Sequence, residues 1–243
     1  MSSQEGTVRI GTSGYQYDHW RGAFYPDAMA KTQWFDYYAR IFDTVEINNT
    51  FYNLPETETF RSWRAQAPRG FLYTLKFSRY GSHIKRLKDG REIIGNFLAP
   101  TEELGDRLGP ILVQLPPNWK PNVERLATFL EAVGGTSHRW AMEFRDPRWL
   151  IDDVFDELRK HNVALVFHDM IDEHPREITA DWIYLRYHGD DYAGSYTSEQ
   201  LAQDAEQIRT WSRRGLDVFA YFNNDAEACA PANARELREK INA

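Results

Sequence analysis

Two rhythms of apolar residues alternate along the chain. Runs with apolar side chains at every second position fall at 8–13, 44–49, 72–78, 110–115, 140–145, 164–169, 182–188 and 218–223, and a period of two predicts β-strands. Between them the spacing changes to three and four, as in Trp34, Phe35, Tyr38, Ile41 and Phe42, the period of a helix packed on one side. Pro55 and Pro121 precede helical patterns, Thr197 and Gln200 have capping-box spacing, and Gly134 and Gly215 fall where helices should stop. Eight such units in 243 residues predict an α/β fold, a TIM-like (β/α)8 barrel of parallel strands. It should occupy residues 1–243 as one domain, with 1–7 a flexible N-terminal tail. The competing doubly wound sheet usually carries a Gly-rich dinucleotide fingerprint, which the sequence lacks. Between the sixth and seventh strands, MIDEHPREITAD is too short and Pro-interrupted for a full helix, so that unit should be irregular.

The strands separate into an apolar and a polar face. On the second, Val45 and Ile47 oppose Glu46 and Asn48; on the third, Tyr73, Leu75 and Phe77 oppose Thr74, Lys76 and Ser78. The fourth offers Gln114 on its second face, the fifth Glu143 and Arg145, the sixth His168, the seventh Tyr184, Arg186 and His188, and the eighth Tyr221 and Asn223. The first is less clear, with Arg9, Gly11 and Ser13 on the equivalent face. Strands of an ordinary parallel sheet are buried on both sides and read as near-continuous apolar runs. Here one face turns polar towards the strand C-termini, where barrel enzymes build their sites. Buried charges need partners or ligands, so the five charges Glu46, Lys76, Glu143, Arg145 and Arg186 predict either a polar pocket or a self-satisfied ionic plug.

Composition narrows the setting. Hydrophobic residues make up 42% and charged residues 27% of the chain, enough for a sizeable core. The formal charge of −7 implies no general attraction to nucleic acid or membrane. No apolar run is long enough to span a bilayer, and MSSQEGTVRI lacks the apolar stretch of a signal peptide. A lone Cys229 excludes an intrachain disulfide, and together these features predict a cytoplasmic protein.

GTSGYQYDHWRGAFYP, EINNTFYNLP, QLPP, EFRDPRW, YLRYHG and YFNN followed by APANARELREKI resemble, in this order, the YecE family (domain of unknown function 72). The resemblance runs from about Val8 to Ile241. It implies a TIM-like barrel without an established activity. The polar positions it carries over are Glu46, Asn48, Tyr52, Lys76, Gln114, Glu143, Arg145, Arg186, His188, Asn223 and Asn224.

Several chemistries fit these side chains. Glu46 and Glu143 have the make-up of a glycosidase pair, yet they stand on the second and fifth strands rather than the fourth and seventh. Arg145, two residues beyond Glu143 on one face, would hold it ionised as a general base, with Glu46 or His188 as acid. Lys76 reads as a cation for a substrate anion, or as an amine nucleophile if desolvated. His168, Asp169 and His188 with the two glutamates have metal-ligand chemistry, but three cations on the same face oppose a metal ion, and no metal or cofactor is expected. The segment 76–92, with Lys76, Arg79, Lys85, Arg86, Lys88 and Arg91, and with His83, against Asp89 and Glu92, forms a basic rim that suits anions. Tyr15 and Tyr52, after the first two strands, would stack on a sugar or base. Ser13, Asn48, Gln114, Tyr221 and Asn223 would orient the substrate, His168 and Arg186 completing the wall. The expectation is an enzyme that hydrolyses, eliminates or isomerises a small anionic, sugar-like or nucleotide-derived substrate. A nucleic-acid-binding or repair protein gripping phosphates with the basic segment is the second reading, and a non-catalytic ligand-binding barrel the third.

Overall fold

All eight period-two runs are strands in the computed structural model, which describes residues 5–189, 192 and 194–243. They are β1 (Val8–Thr12), β2 (Thr44–Ile47), β3 (Leu72–Lys76), β4 (Leu108–Gln114), β5 (Trp140–Glu143), β6 (Ala164–His168), β7 (Trp182–Tyr187) and β8 (Asp217–Phe222). Their order in the sheet is β1-β8-β7-β6-β5-β4-β3-β2. A parallel bridge between Ser13 and Glu46 joins the two ends of that order. Parallel neighbours in ring order, with helices in the connections, are the topology of a TIM-like (β/α)8 barrel. The helices are α1 (Trp34–Ile41), α2 (Asn49–Tyr52), α3 (Thr57–Gln66), α4 (Gly90–Thr101), α5 (Val123–Gly134), α6 (Asp152–Lys160), α7 (Ser198–Arg213) and α8 (Cys229–Asn242). Residues 169–181, between β6 and β7, hold no helix, as Pro175 and the short length implied. Asn49, expected to end a strand, instead opens α2.

The chain divides into two units. One comprises residues 5–46, 168–170 and those from 182 onward. Within it β8 pairs with both β1 and β7, setting Tyr221 beside Gly11 and Arg186. Gly11 explains why β1 read poorly: a Cβ there would lie 2.2 Å from the Thr44 carbonyl oxygen, so β1 passes β2 more closely than any side chain permits. Tyr38 fastens the same crossing, its hydroxyl accepting from the Thr12 amide at 2.9 Å and donating to the Thr44 carbonyl at 3.0 Å. Arg9 turns to Asp43, 3.0 Å away. Beyond the strands, Tyr25 and Trp34 stack with rings parallel at 4.6 Å. The capping box at Thr197 and Gln200 closes the start of α7, satisfying two amides that a helix cannot satisfy internally. Of the expected tail, residues 1–4 lie outside the described residues. Gly6 and Thr7 are tied down: the Gly6 amide donates to the Ser212 carbonyl and the Thr7 amide to Asp217, at 2.8 and 2.7 Å.

The other unit comprises residues 47–167 and 171–181. Here β3, β4, β5 and β6 pair side by side. Helix α5 buries Leu126, Phe129, Leu130 and Val133, the helical three-and-four spacing, and Asn122 caps it by accepting from the Arg125 amide at 2.9 Å. Phe77, Phe97, Phe129 and Trp140 meet edge to face. Truncating any of these rings should cost about 3–5 kcal/mol. The strand ends emerge from this apolar layer, which fixes where their last polar side chains stand.

Candidate functional site

Each unit gathers its own polar cluster at the C-terminal ends of its strands. In the unit built on 47–167, Lys76 ends β3, Gln114 ends β4 and Glu143 ends β5, and the β4–β5 register sets Gln114 beside Glu143. Lys76 Nζ donates to Gln114 Oε1 at 2.8 Å, and Arg145 Nη2 reaches the same oxygen at 3.5 Å. Arg145 Nε donates to Glu143 Oε1. Glu143 is fully buried and Arg145 nearly so, so this pair sits where charge interactions are strong. Lys76 Nζ also lies 4.7 Å from the Phe51 ring centre. The Lys76 carbonyl accepts from Thr50 Oγ1 at 2.7 Å, anchoring α2 to the end of β3. Asn48, the residue before α2, keeps a buried side-chain oxygen that has no hydrogen-bond partner among the described residues.

The second cluster lies on β1, β2 and β7. Glu46 Oε1 accepts from Ser13 Oγ and Arg186 Nη2, each at 2.7 Å, and Oε2 accepts from the Tyr184 hydroxyl at 2.6 Å. Burial, the largest single influence, pushes the Glu46 carboxyl up. The Arg186 charge and the hydrogen bonds from Ser13, Tyr184 and Arg186 outweigh it and hold the group below its ordinary range. Glu46 is therefore an ionised acceptor with both oxygens engaged. Those donors favour an accepting role over the expected one of proton donor.

His188 belongs to the same unit. Its Nδ1 stands 3.3 Å from Asp169 Oδ1, and the backbone amides of His188 and Gly189 donate to that carboxylate at 3.0 and 3.2 Å. Tyr196 donates its hydroxyl to Asp169 as well. Burial works to raise the Asp169 carboxyl, but the His188 and Tyr196 hydrogen bonds overcome it and leave the group at about 2. An ionised aspartate beside Nδ1 fixes an imidazole's orientation and tautomer. The His168 ring is 5.9 Å from that of His188. Its Nδ1 accepts from the Met170 amide at 3.2 Å, which places any proton on Nε2.

Other expected residues stand elsewhere. Tyr15 is buried in packing, its ring 5.5 Å from Phe35 and 5.6 Å from Tyr38, an arrangement of core rather than of an open stacking platform. Tyr221 is fully buried with its hydroxyl 2.7 Å from Thr44 Oγ1, a brace between β8 and β2. Tyr52 is 76% exposed and meets Phe51 edge to face. The Asn223 amide extends the sheet ladder to the Tyr187 carbonyl at 2.7 Å. Asn224 is fully buried and donates to the Gly194 carbonyl and Asn233 Oδ1 at 2.8 and 3.0 Å, while its own oxygen has no partner among the described residues. The basic segment is partly neutralised, since Lys85 pairs with Asp89 at 2.8 Å and Leu87 turns into the core.

Sequence reasoning missed Asp169 as the partner of His188, Tyr196 as a partner of Asp169, and Tyr184 as a partner of Glu46, although Tyr184 shares a period-two face with Arg186. It also left His83 inside the basic segment. Among the described residues, no three imidazole, carboxylate or thiol side chains gather as metal ligands. No described helix is long and apolar enough to cross a membrane.

Known proteins resemble the chain in sequence and in fold. The UPF0759 protein YecE of Escherichia coli K12 is 33% identical over 113 residues, covering 46% of this chain and 41% of the relative, so the match spans under half of either. The crystal structure of a DUF72 family protein from Thermotoga maritima superposes with a TM-score of 0.86 at 27% identity, over 98% of this chain and 100% of the other. A 3-keto-D-glucoside 4-epimerase from E. coli superposes with a TM-score of 0.55 at 16% identity, over 98% and 100% of the two chains, a likeness of fold alone. Residues 9–243 match the family described as protein of unknown function DUF72, and to that family the chain belongs.

Proposed function

We propose that this protein is an enzyme that binds a small anionic, carbohydrate-like substrate and acts on it by acid–base chemistry, as a hydrolysis, elimination or isomerisation. The observation that carries the reading is the meeting of Lys76 and Arg145 on one neutral oxygen, Gln114 Oε1. Two cations gather around this amide, with Glu143 the carboxylate paired to Arg145. Such a site attracts an anion and stabilises negative charge that develops in a transition state. Glu143, paired with Arg145, takes the place of general base. The unpartnered oxygen of Asn48 is an acceptor that a substrate hydroxyl would satisfy, which favours a polyol over an apolar anion. The sugar epimerase that shares the fold is in keeping with such a substrate.

Calorimetric titration of a panel of sugar phosphates and their unphosphorylated parents tests the reading. Phosphorylated members should bind at least tenfold more tightly than their parents, and Lys76→Met should remove that preference. Equal affinity for charged and neutral members would overturn it.

A further inference from the structure

His83 is the one histidine of the basic segment, and its placement is unusual. After β3 the backbone winds into a π-helical turn over Tyr80–Ile84, a wide helix form that is rare and frequent at functional sites. The turn sets His83 half-buried, with its ring 5.0 Å from Phe51, edge to face. That is the ring on which Lys76 Nζ rests at 4.7 Å. On its other side Nδ1 lies 3.0 Å from Ser82 Oγ, a bond that holds the imidazole's orientation and leaves Nε2 for the remaining contact.

We propose that His83 is part of the anion site itself, a neutral imidazole whose Nε2 meets the ligand held by Lys76 and Arg145 and accepts a proton or hydrogen bond from it. This rests on the proposed function above and adds to it a proton acceptor other than Glu143. The groups around His83 favour its neutral form: Lys76 from β3, Arg79 from the turn's approach and Arg145 from beyond β5, with Phe51 of α2 and Ser82 uncharged. Burial and those three cations, in that order, hold the imidazole at about 4. An anion bound between the cations would cancel their field, so ligand binding and His83 protonation must strengthen each other by the same factor.

The test is an NMR titration of the His83 ring protons in the wild-type protein, assigned with His83→Gln and His83→Asn, with and without sulfate, whose charge is constant over the pH range. Saturating sulfate should raise the His83 midpoint by at least one pH unit, and sulfate affinity measured by calorimetry should accordingly rise about fivefold or more between pH 7 and pH 4. Both effects should vanish in Lys76→Met. Sulfate that binds in a Lys76-dependent way while the His83 midpoint stays fixed would overturn the proposal and leave the anion-handling reading standing. Failure of sulfate to bind at all, at either pH, would remove both.

Discussion

Arg186 Nη2 lies 2.7 Å from Glu46 Oε1, and neither side chain exposes more than 1% of its surface. Two charges so far from water are costly unless each is matched, and Ser13 and Tyr184 supply Glu46 with further donors. Arg186→Met should therefore lower stability by about 3–5 kcal/mol, because it strands a buried carboxylate. Adding Glu46→Gln should restore part of the loss. Urea unfolding of the two variants and the wild type checks this; an Arg186→Met protein as stable as the wild type would show that the pair does not hold this unit together.

The close passage of β1 and β2 makes a second prediction. A Cβ on Gly11 would meet the Thr44 carbonyl at 2.2 Å, and a backbone atom held in a sheet cannot step aside as a side chain can. Gly11→Ala should cost more than about 3 kcal/mol, at or beyond the upper range for overpacked sites. Gly95 supplies the contrast, since it lies within α4 with nothing within 4 Å of an added Cβ. Gly95→Ala should stabilise by about 0.4–1 kcal/mol. Thermal unfolding of both variants separates the two cases by sign.

The strands and their polar ends were legible because a period of two is a direct consequence of the pleat. That reading placed Glu46, Lys76, Gln114, Glu143 and Arg186 at strand ends, and all five are there. It failed where function depends on which atom meets which. Periodicity shows Glu46 facing away from Val45, but not that three donors meet its oxygens. Tyr15 and Tyr221 look like pocket residues by spacing, yet a tyrosine in a barrel strand or loop serves equally well as a brace, and both do so here. The π-helical turn carrying His83 has no sequence period of its own, so the imidazole was hidden among the cations that define it.

Acid should weaken the fold through two groups acting in different windows. Asp169, at about 2 in the folded protein against 3.8 ordinarily, binds its proton less readily when folded. Its contribution is complete above about pH 4 and is lost as pH falls from 4 towards 2. His83, at about 4 against 6.5, likewise binds fewer protons when folded, so stability rises with pH between 4 and 6.5. Asp169→Asn should reduce the slope of the lower window, to which Glu46 also contributes, and His83→Gln should flatten the upper, each leaving the other in place. Denaturant unfolding from pH 2.5 to 7.5 resolves them; a slope between 4 and 6.5 unchanged in His83→Gln would assign that window to another group.

Gln114 allows the charge of the anion cluster to be changed without changing its shape. Its oxygen already receives Lys76 and Arg145, so Gln114→Glu keeps an acceptor at the same place while adding a full negative charge 2.8 Å from Lys76 Nζ. The new carboxylate also stands beside Glu143 in register, and repulsion there is offset by the two cations. Stability should change little, within about 1 kcal/mol, whereas an incoming anion would find its place taken. At an effective dielectric of about 20, a unit charge some 4 Å away is worth about 4 kcal/mol, so a tenfold loss of sulfate affinity, about 1.4 kcal/mol, is a modest demand. Calorimetry and urea unfolding on the same preparation give both numbers. Unchanged sulfate affinity in a fully folded Gln114→Glu protein would mean that anions bind somewhere other than at Lys76 and Arg145.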